Sequence, residues 1–255
     1  MLDDQLGREY ADWLSDGYPA YEDKWRKLSE ADREAALFEA AVWKTLRDHD
    51  VHVEPWDLQT DRPLPDFRCN KGQFYVEATC IKIETATRVT GVSHKQPSGG
   101  HYAPLNPAIY RAAQKKAPQC AKLDAPALVA VGTFHWPVSA ICLRPSLLAA
   151  LVTGMPKIAW PIDKGGKPHG AYQFTDFENA PFLRPFQEAV SARECISGML
   201  ICGFGCSPPR IAGIRHCYAV RPFDPHLLKA IPFCELHDAD EFEVRPVWRN
   251  VSPDW

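Results

Sequence analysis

Two acidic residues on consecutive strand-like segments best fit catalytic chemistry in this sequence. Asp66 lies in PDFRCN and Glu77 lies in QFYVEATCIK, with Asn70-Lys71-Gly72 between the two segments. This spacing predicts a β-hairpin. If Lys71 and Gly72 form a two-residue turn, Asp66 faces Glu77 directly, whereas a bulge at Gly72 would shift the pairing by one residue.

Two carboxylates that face each other across neighbouring strands repel, so a cation between them would stabilise the arrangement. Mg²⁺ binds one or two carboxylates and keeps water molecules that a substrate phosphate can replace. We therefore predict a Mg²⁺ or Mn²⁺ site at Asp66 and Glu77, completed by Thr79 or by the Ala78 carbonyl. The structural alternatives are that Asp66 is only a turn residue and that Glu77, with Tyr75, faces solvent.

Two further charged residues stand among apolar positions of neighbouring helices. Glu39 shares the apolar stripe of the helix in SEADREAALFEAAVWKTLRDHD, and Lys116 lies on the apolar side of the helix in NPAIYRAAQKKA. A charge on an apolar face is costly unless it is paired or reaches a cleft. We expect Glu39 to bind the same ion or its water, and Lys116 to supply an ammonium group. The alternative for Glu39 is a position at the rim of the apolar helix face. The alternative for Lys116 is a lysine whose apolar stem is buried while its ammonium group reaches solvent.

The elements around these residues predict the fold class. The sequence predicts six elements in succession. They are a helix over 29–50, the strand VHVEPW, the hairpin, a loop over 84–107, a helix at 106–117 that Pro118 kinks or ends, and the buried strand ALVAVGTF. Further strands in ECISGMLICGFG, IAGIRHCYAV and EFEVRPVW alternate with helices in LRPSLLAALVTG and DPHLLKAI. This order predicts a three-layer α/β fold with a central mixed sheet flanked by helices.

The chain divides into a short and a long part. We predict that residues 1–28 form an N-terminal helical appendage and that residues 29–255 form a single α/β domain. Within that domain, the chemical motifs lie in 29–134, and 135–255 extends the sheet.

The motifs in 29–134 together resemble the core of the PD-(D/E)XK nuclease superfamily, a restriction-endonuclease-like fold. The resemblance covers LFEAAVWKTLRDHDVHVEPW, PDFRCNKGQFYVEAT and AIYRAAQKKAPQCAKLDAPALVAV, roughly half of the chain. It implies that Glu39 is the helical Glu of the family, Asp66 the metal-binding Asp and Glu77 the (D/E) residue. The implied activity is Mg²⁺-dependent hydrolysis of nucleic-acid phosphodiesters, with DNA as the expected substrate.

One position departs from the family pattern, because Thr79 stands where the family has Lys. Three explanations stay open. The ammonium group comes from another residue, with Lys116 the first choice and Lys82 the second; or Thr79 binds the attacking water; or the protein only binds nucleic acid and is catalytically inert. Similar cores with Thr at this position among bacterial proteins make Thr79 compatible with activity.

Basic and polar residues near the motifs are candidates for contacts to the phosphate backbone. Five residues are assigned to this role: Lys82, Arg88, Lys95, Lys115 and Gln119. The alternative is that basic residues in the loop are ordinary solvated surface.

Composition limits the remaining classes. The 255 residues carry a net charge of −3, which argues against non-specific coating of nucleic acid but allows a local basic groove. No apolar run reaches the roughly 20 residues of a membrane span, and MLDDQLGREY is not a secretory signal.

The nine scattered cysteines fit reduced thiols, so we expect a cytoplasmic protein without a membrane partner. By analogy with nucleases that cut both strands, we also expect a homodimer. A thiol or zinc site at Cys202, Cys206, His216 and Cys217 is a weaker alternative.

Overall fold

A computed structural model describes residues 4–56, 63–95, 105–168, 170–176, 180–183, 191–238 and 244–250. Its helices are α1 (Asp4–Gly17), α2 (Pro19–Ala31), α3 (Arg33–Asp48), α4 (Ile83–Thr90), α5 (Asn106–Cys120), α6 (Trp136–Cys142) and α7 (Pro145–Thr153). Its strands are β1 (Val53–Pro55), β2 (Phe67–Cys69), β3 (Phe74–Cys80), β4 (Ala127–Thr133), β5 (Met155–Ala159), β6 (Tyr172–Asp176), β7 (Gly198–Gly203), β8 (Arg210–Arg215), β9 (Phe233–Asp238) and β10 (Val244–Arg249).

One sheet organises the fold. Eight strands follow the order β1-β2-β3-β4-β7-β8-β9-β10. The pairs β3–β4, β4–β7 and β8–β9 are parallel, and the other neighbours are antiparallel. The sheet is therefore mixed, and the predicted α/β class with a central sheet flanked by helices is confirmed.

The two faces of the sheet are covered by different helices because apolar side chains alternate along the central strands. Phe74 and Val76 of β3 pack in a cluster with α1 and α3, whereas Tyr75 packs in the cluster that holds α5 and α7. All residues of β4 and β7 are buried. The hairpin that carries the acidic residues thus pairs, through β3, with a strand that is covered on both sides.

The N-terminal helices belong to the same core as the rest of the chain. Tyr10 and Leu14 of α1 are only 1% exposed and lie in the cluster that contains Phe38 of α3. The Tyr10 ring lies 5.2 Å from the ring of Trp43 and 5.4 Å from that of Trp25. The first two helices therefore reach the neighbourhood of Glu39.

Several predicted boundaries were wrong. The helix predicted over 29–50 begins at Arg33, because α2 continues to Ala31 and the Asp32 side chain caps α3 by accepting from the Ala35 N–H. The predicted loop over 84–107 contains α4, while its residues 96–104 lie outside the described ranges. Pro118 stands inside α5, which continues for only two more residues and ends at Cys120, so the predicted helix end before Pro118 was wrong.

Some elements were not predicted at all. Helix α6, the separate hairpin of β5 and β6, and strand β9 belong to this group. In the described ranges, no single helix is long and apolar enough to cross a membrane; α6 and α7 satisfy the length and composition only together, with a bend of 60° between them.

Gly132 provides a test of the central packing. A Cβ atom at this position would lie 1.8 Å from the carbonyl oxygen of Cys202 on the neighbouring strand β7. We expect Gly132→Ala to lower the free energy of unfolding by about 1–3 kcal/mol or more, measured by urea denaturation, because the strands must separate. Gly17→Ala is the control, since nothing lies within 4 Å of its added Cβ; equal stability of the two variants would contradict the described packing.

Candidate functional site

The hairpin places Asp66 opposite Glu77. Strand β2 pairs with β3 so that Phe67 faces Val76 and Cys69 faces Phe74. The next position in the same register, just beyond the last pair, sets Asp66 against Glu77. The predicted register is therefore confirmed.

The connection of this hairpin differs from the predicted two-residue turn. Residues 70–73 form the link, and both Asn70 and Lys71 have left-handed backbone conformations, with φ of 48° and 58°. Asn tolerates this conformation better than most residues. The Oδ1 atom of Asn70 accepts a hydrogen bond of 3.0 Å from the His52 N–H, which joins the turn to the segment before β1.

Asp66 connects the end of β2 to β3. Its Oδ2 atom accepts a hydrogen bond of 2.7 Å from the Ala78 N–H, and its backbone oxygen accepts one of 2.9 Å from the Trp56 N–H. These bonds hold the carboxylate at the point where the two strands separate. Burial raises the pKa of both Glu39 and Glu77, and the negative charge of Asp66 raises it further, so Asp66 is close enough to act on each glutamate.

Glu77 is buried and forms an ion pair with Lys116. The residue is 1% exposed, and its Oε1 atom accepts a hydrogen bond from the Nζ atom of Lys116. The Lys116 side chain is 19% exposed, so the pair is largely shielded from solvent. The Oε2 atom of Glu77 is buried and has no hydrogen-bond partner in the described part of the chain. The alternative that Glu77 faces solvent is therefore wrong.

Glu39 approaches the site from α3 and binds the N-terminal helices. Its Oε1 atom accepts a hydrogen bond of 2.8 Å from the Tyr10 hydroxyl. Lys24 of α2 lies near enough to lower the pKa of both Glu39 and Asp66. Tyr10 and Lys24 are site residues that sequence reasoning missed, because no motif or spacing connects positions 10 and 24 with position 39.

The three carboxylates share a site with too little positive charge. Burial, reinforced by the charge of Asp66, raises the pKa of Glu39 to about 8; the same two causes raise the pKa of Glu77, and Lys116 opposes them there. Burial also raises the pKa of Asp66, against the lowering effects of the Ala78 N–H and Lys116. Burial alone would lower the pKa of Lys116, but the Glu77 carboxylate outweighs it and the pKa is raised. A divalent cation would relieve this excess of negative charge.

A small cavity lies against Glu39 and Asp66. About 10 Å³ of space is enclosed there by Tyr10, Lys24 and apolar neighbours, close to the volume that holds one water molecule. A larger cavity of about 610 Å³, lined by Arg215 and Trp248 among others, contains none of the predicted site residues.

The remaining site candidates lie at different distances from this centre. The Gln119 amide, which donates to the Leu64 oxygen at 3.5 Å, is near enough to Glu77 to lower its pKa. Thr79 is half-buried on β3, and its hydroxyl has no hydrogen bond to the residues that the structure describes. Lys82 pairs instead with Asp32, with 2.6 Å between its Nζ atom and Oδ2.

The basic candidates are on the surface. Arg88 on α4, Lys115 on α5 and Lys95 after α4 are all exposed. They are available to solvent and to a bound polymer, but no contact joins them to the carboxylates. The structure thus brings together Glu39, Asp66, Glu77, Lys116 and Gln119, and separates them from Lys82, Arg88, Lys95 and Lys115.

The donor set of the site fits a hard cation with water ligands. Asp66 and Glu77 would hold it, and the unpartnered Oε2 atom of Glu77 is a free donor for it. In the described ranges, no group of three or more His, Cys, Asp or Glu side chains is arranged to hold a metal ion. The zinc alternative likewise has no preformed ligand group in these ranges: the His216 ring is hydrogen-bonded to the Ala192 oxygen at 3.0 Å, and Cys202 lies in the core.

Comparisons of the chain with protein-family models, with curated proteins and with solved structures found no match.

Glu39→Gln tests the excess of negative charge. The folded-state pKa of Glu39 is about 8, above its ordinary value of 4.5, so the folded protein holds a proton that the unfolded chain has lost between these pH values. The stabilisation is complete below pH 4.5 and is lost as the pH rises through 8. We compare the free energy of unfolding of Glu39→Gln with that of wild type at each pH. We expect the variant to gain at least about 1 kcal/mol over wild type between pH 5 and pH 8.

The measurement is urea denaturation at both pH values without added metal. Glu30→Gln is the matched control, since Glu30 is exposed on α2. A stability difference between Glu39→Gln and wild type that does not change with pH would contradict the interpretation.

Lys116→Met tests the buried ion pair. Removal of the ammonium group leaves the carboxylate of Glu77 without its cation, and breaking a buried pair commonly costs about 3–5 kcal/mol. The double variant Lys116→Met/Glu77→Gln should recover most of this loss in urea denaturation. Equal stability of the single and double variants would show that the two side chains are not coupled.

Proposed function

We propose that this protein is a Mg²⁺-dependent nucleic-acid phosphodiester hydrolase of the PD-(D/E)XK type, with DNA as the expected substrate. The observation that carries the proposal is the convergence of Asp66, Glu77 and Lys116 beside Glu39 on the hairpin and its neighbouring helices. A carboxylate pair and an ammonium group at one site are what such hydrolysis requires.

The position of Lys116 supports an active site despite Thr79. The family Lys would stand on β3, two residues after Glu77, and here an ammonium group reaches Glu77 from α5 instead. The same group lowers the pKa of Asp66 and Glu39, so its charge acts on all three carboxylates. It can therefore serve the electrostatic role of the missing Lys from a different element.

Each residue has a distinct task in the proposed reaction. Asp66 and Glu77 would hold the ion, which when bound lowers the pKa of a coordinated water and neutralises charge on the scissile phosphate. Lys116 stabilises the negative charge that develops on the phosphate. Glu39 accepts the Tyr10 hydroxyl proton in a hydrogen bond and has a second oxygen to orient water at the small cavity. Thr79 would offer its hydroxyl to the attacking water.

A second candidate is a catalytically inert nucleic-acid-binding or scaffold protein of the same architecture. The observation in its favour is that Lys116 already neutralises Glu77 and that the cavity at Glu39 and Asp66 holds little more than one water. In this case the buried charges would serve structure, and nucleic acid would bind without being cut.

Compartment and assembly belong to the same proposal. No disulfide joins the nine cysteines, which all lie in the described ranges, and this supports action in the reducing cytoplasm. A homodimer would allow both strands of a duplex to be cut.

A nuclease assay with Asp66→Asn tests the proposed activity. We expect wild type to cut plasmid or single-stranded DNA with Mg²⁺ or Mn²⁺ but not with EDTA. Asp66→Asn should lose at least about 100-fold in rate, because even outer-shell partners of a metal commonly cost 10–100-fold. Glu77→Gln and Lys116→Ala should lose activity as well, whereas Asp16→Asn, which changes an exposed carboxylate, should not.

Binding of the ion can be measured separately from cleavage. Mg²⁺ should raise the Tm of wild type in a thermal shift experiment and leave that of Asp66→Asn unchanged. Cleavage that is equal in wild type and all site variants would show that the site is wrong. DNA binding by wild type without any cleavage would favour the inert alternative.

A further inference from the structure

The hairpin of β5 and β6, in the second half of the chain, is a second candidate for contact with nucleic acid. Strands β5 and β6 pair with each other in a sheet of their own, outside the eight-stranded sheet. Ile162 and Pro168 continue this pairing beyond the strands. Residues 160–168, which we call the arm tip, therefore project as the end of a hairpin. An isolated two-stranded hairpin is only marginally stable in water, so a bound partner would stabilise it.

The arm tip exposes large apolar side chains. Trp160 is 57% exposed and Ile162 is 71% exposed, and they are two of the five exposed large apolar residues in the described ranges. The two side chains are separated by one residue in the sequence. An exposed indole with an exposed branched aliphatic group nearby offers a surface on which a planar apolar group could stack.

The charge of the arm tip selects among partners. Lys164 and Lys167 are exposed, and the one acid of the arm tip, Asp163, accepts at its Oδ1 atom hydrogen bonds from the N–H groups of Gly165 at 2.8 Å and Lys167 at 2.9 Å. Two lysines against one aspartate make the tip cationic, although the whole chain has a net charge of −3. This local charge complements a polyanion.

The tip is also held in one conformation by its own backbone. Asp163 donates to the Lys167 oxygen at 3.0 Å, and Gly166 donates to the Asp163 oxygen at 3.0 Å. Gly166 has φ of +78°, a left-handed conformation that glycine adopts without strain. The two lysines are thus presented by a preformed turn, which reduces the entropy lost on binding.

We propose that the arm tip binds single-stranded nucleic acid, with Trp160 stacked on a base, Ile162 packed beside it, and Lys164 and Lys167 on the backbone phosphates. Stacking on an aromatic side chain combined with lysine–phosphate contacts is the usual way in which proteins bind single strands without sequence preference. The inference rests on the proposed function, because it assigns part of the substrate contact to a segment outside the catalytic core. An anionic membrane surface is the competing partner for exposed Trp and Lys.

The experiment measures binding of a fluorescently labelled single-stranded DNA by anisotropy in EDTA, where metal-dependent cleavage cannot occur. Trp160→Ala should weaken binding by about 5- to 150-fold, the range for the loss of one base–aromatic stack. Lys164→Gln/Lys167→Gln should reduce the slope of log Kd against log salt by about 1.4, as expected for two phosphate contacts on a single strand.

Matched controls are available elsewhere on the surface. Trp136→Ala changes a tryptophan of similar exposure, 53%, and Lys27→Gln/Lys229→Gln removes two exposed lysines. Neither control should change the affinity or the salt dependence. Wild-type affinity in both arm variants would overturn the proposal, and so would an absence of DNA binding by wild type.

The outcome is separable from that of the nuclease assay. Arm variants that bind as wild type, together with cleavage that depends on Asp66, would reject the arm and keep the nuclease. Binding that depends on the arm without any cleavage would support the arm and reject the nuclease. A parallel measurement with phosphatidylserine vesicles completes the test, since arm-dependent binding to vesicles but not to DNA would identify a membrane partner and overturn the proposal.

Discussion

The burial of Glu77 is the constraint on which the site depends. A carboxylate that is 1% exposed in a central part of the sheet is costly unless a cation compensates it. Here the compensation comes from Lys116, whose helix must pack against that face of β3 for its ammonium group to reach Glu77. The requirement therefore joins the hairpin, the sheet and α5 into one arrangement.

The charge balance of the site remains incomplete after that pairing. Asp66 and Glu39 add two more carboxylates, and Lys116 with Lys24 supplies the nearby positive charge. Sites with strongly perturbed ionisable groups are often functional, although structural networks perturb pKa values too. In this protein the Oε2 atom of Glu77 has no hydrogen-bond partner among the described residues, so it is available to a water molecule or a cation.

The fold class could be predicted because the order of helices and strands indicates it, and the hairpin register because the two strands and the short link at residues 70–73 were recognisable, although the link is not the expected two-residue turn. The observed pairs, Phe67 with Val76 and Cys69 with Phe74, place these four apolar side chains in the same cluster on one face of the sheet. Helix α4 was missed because its β-branched residues in ETATRV do not indicate a helix, and its packing comes from Ala86 and the core around it. Tyr10 and Lys24 could not be predicted as site residues, because their contacts depend on how α1 and α2 pack on α3.

The hydrogen bond from Tyr10 to Glu39 has a consequence for the modular character of the protein. A fragment that begins at the recognisable motifs, near residue 29, would keep every acidic residue of the centre and yet lose the phenol and the ammonium group that accompany Glu39. The smallest part of the chain that keeps this site intact is therefore larger than the motif pattern. A truncated or transplanted core must include the first two helices.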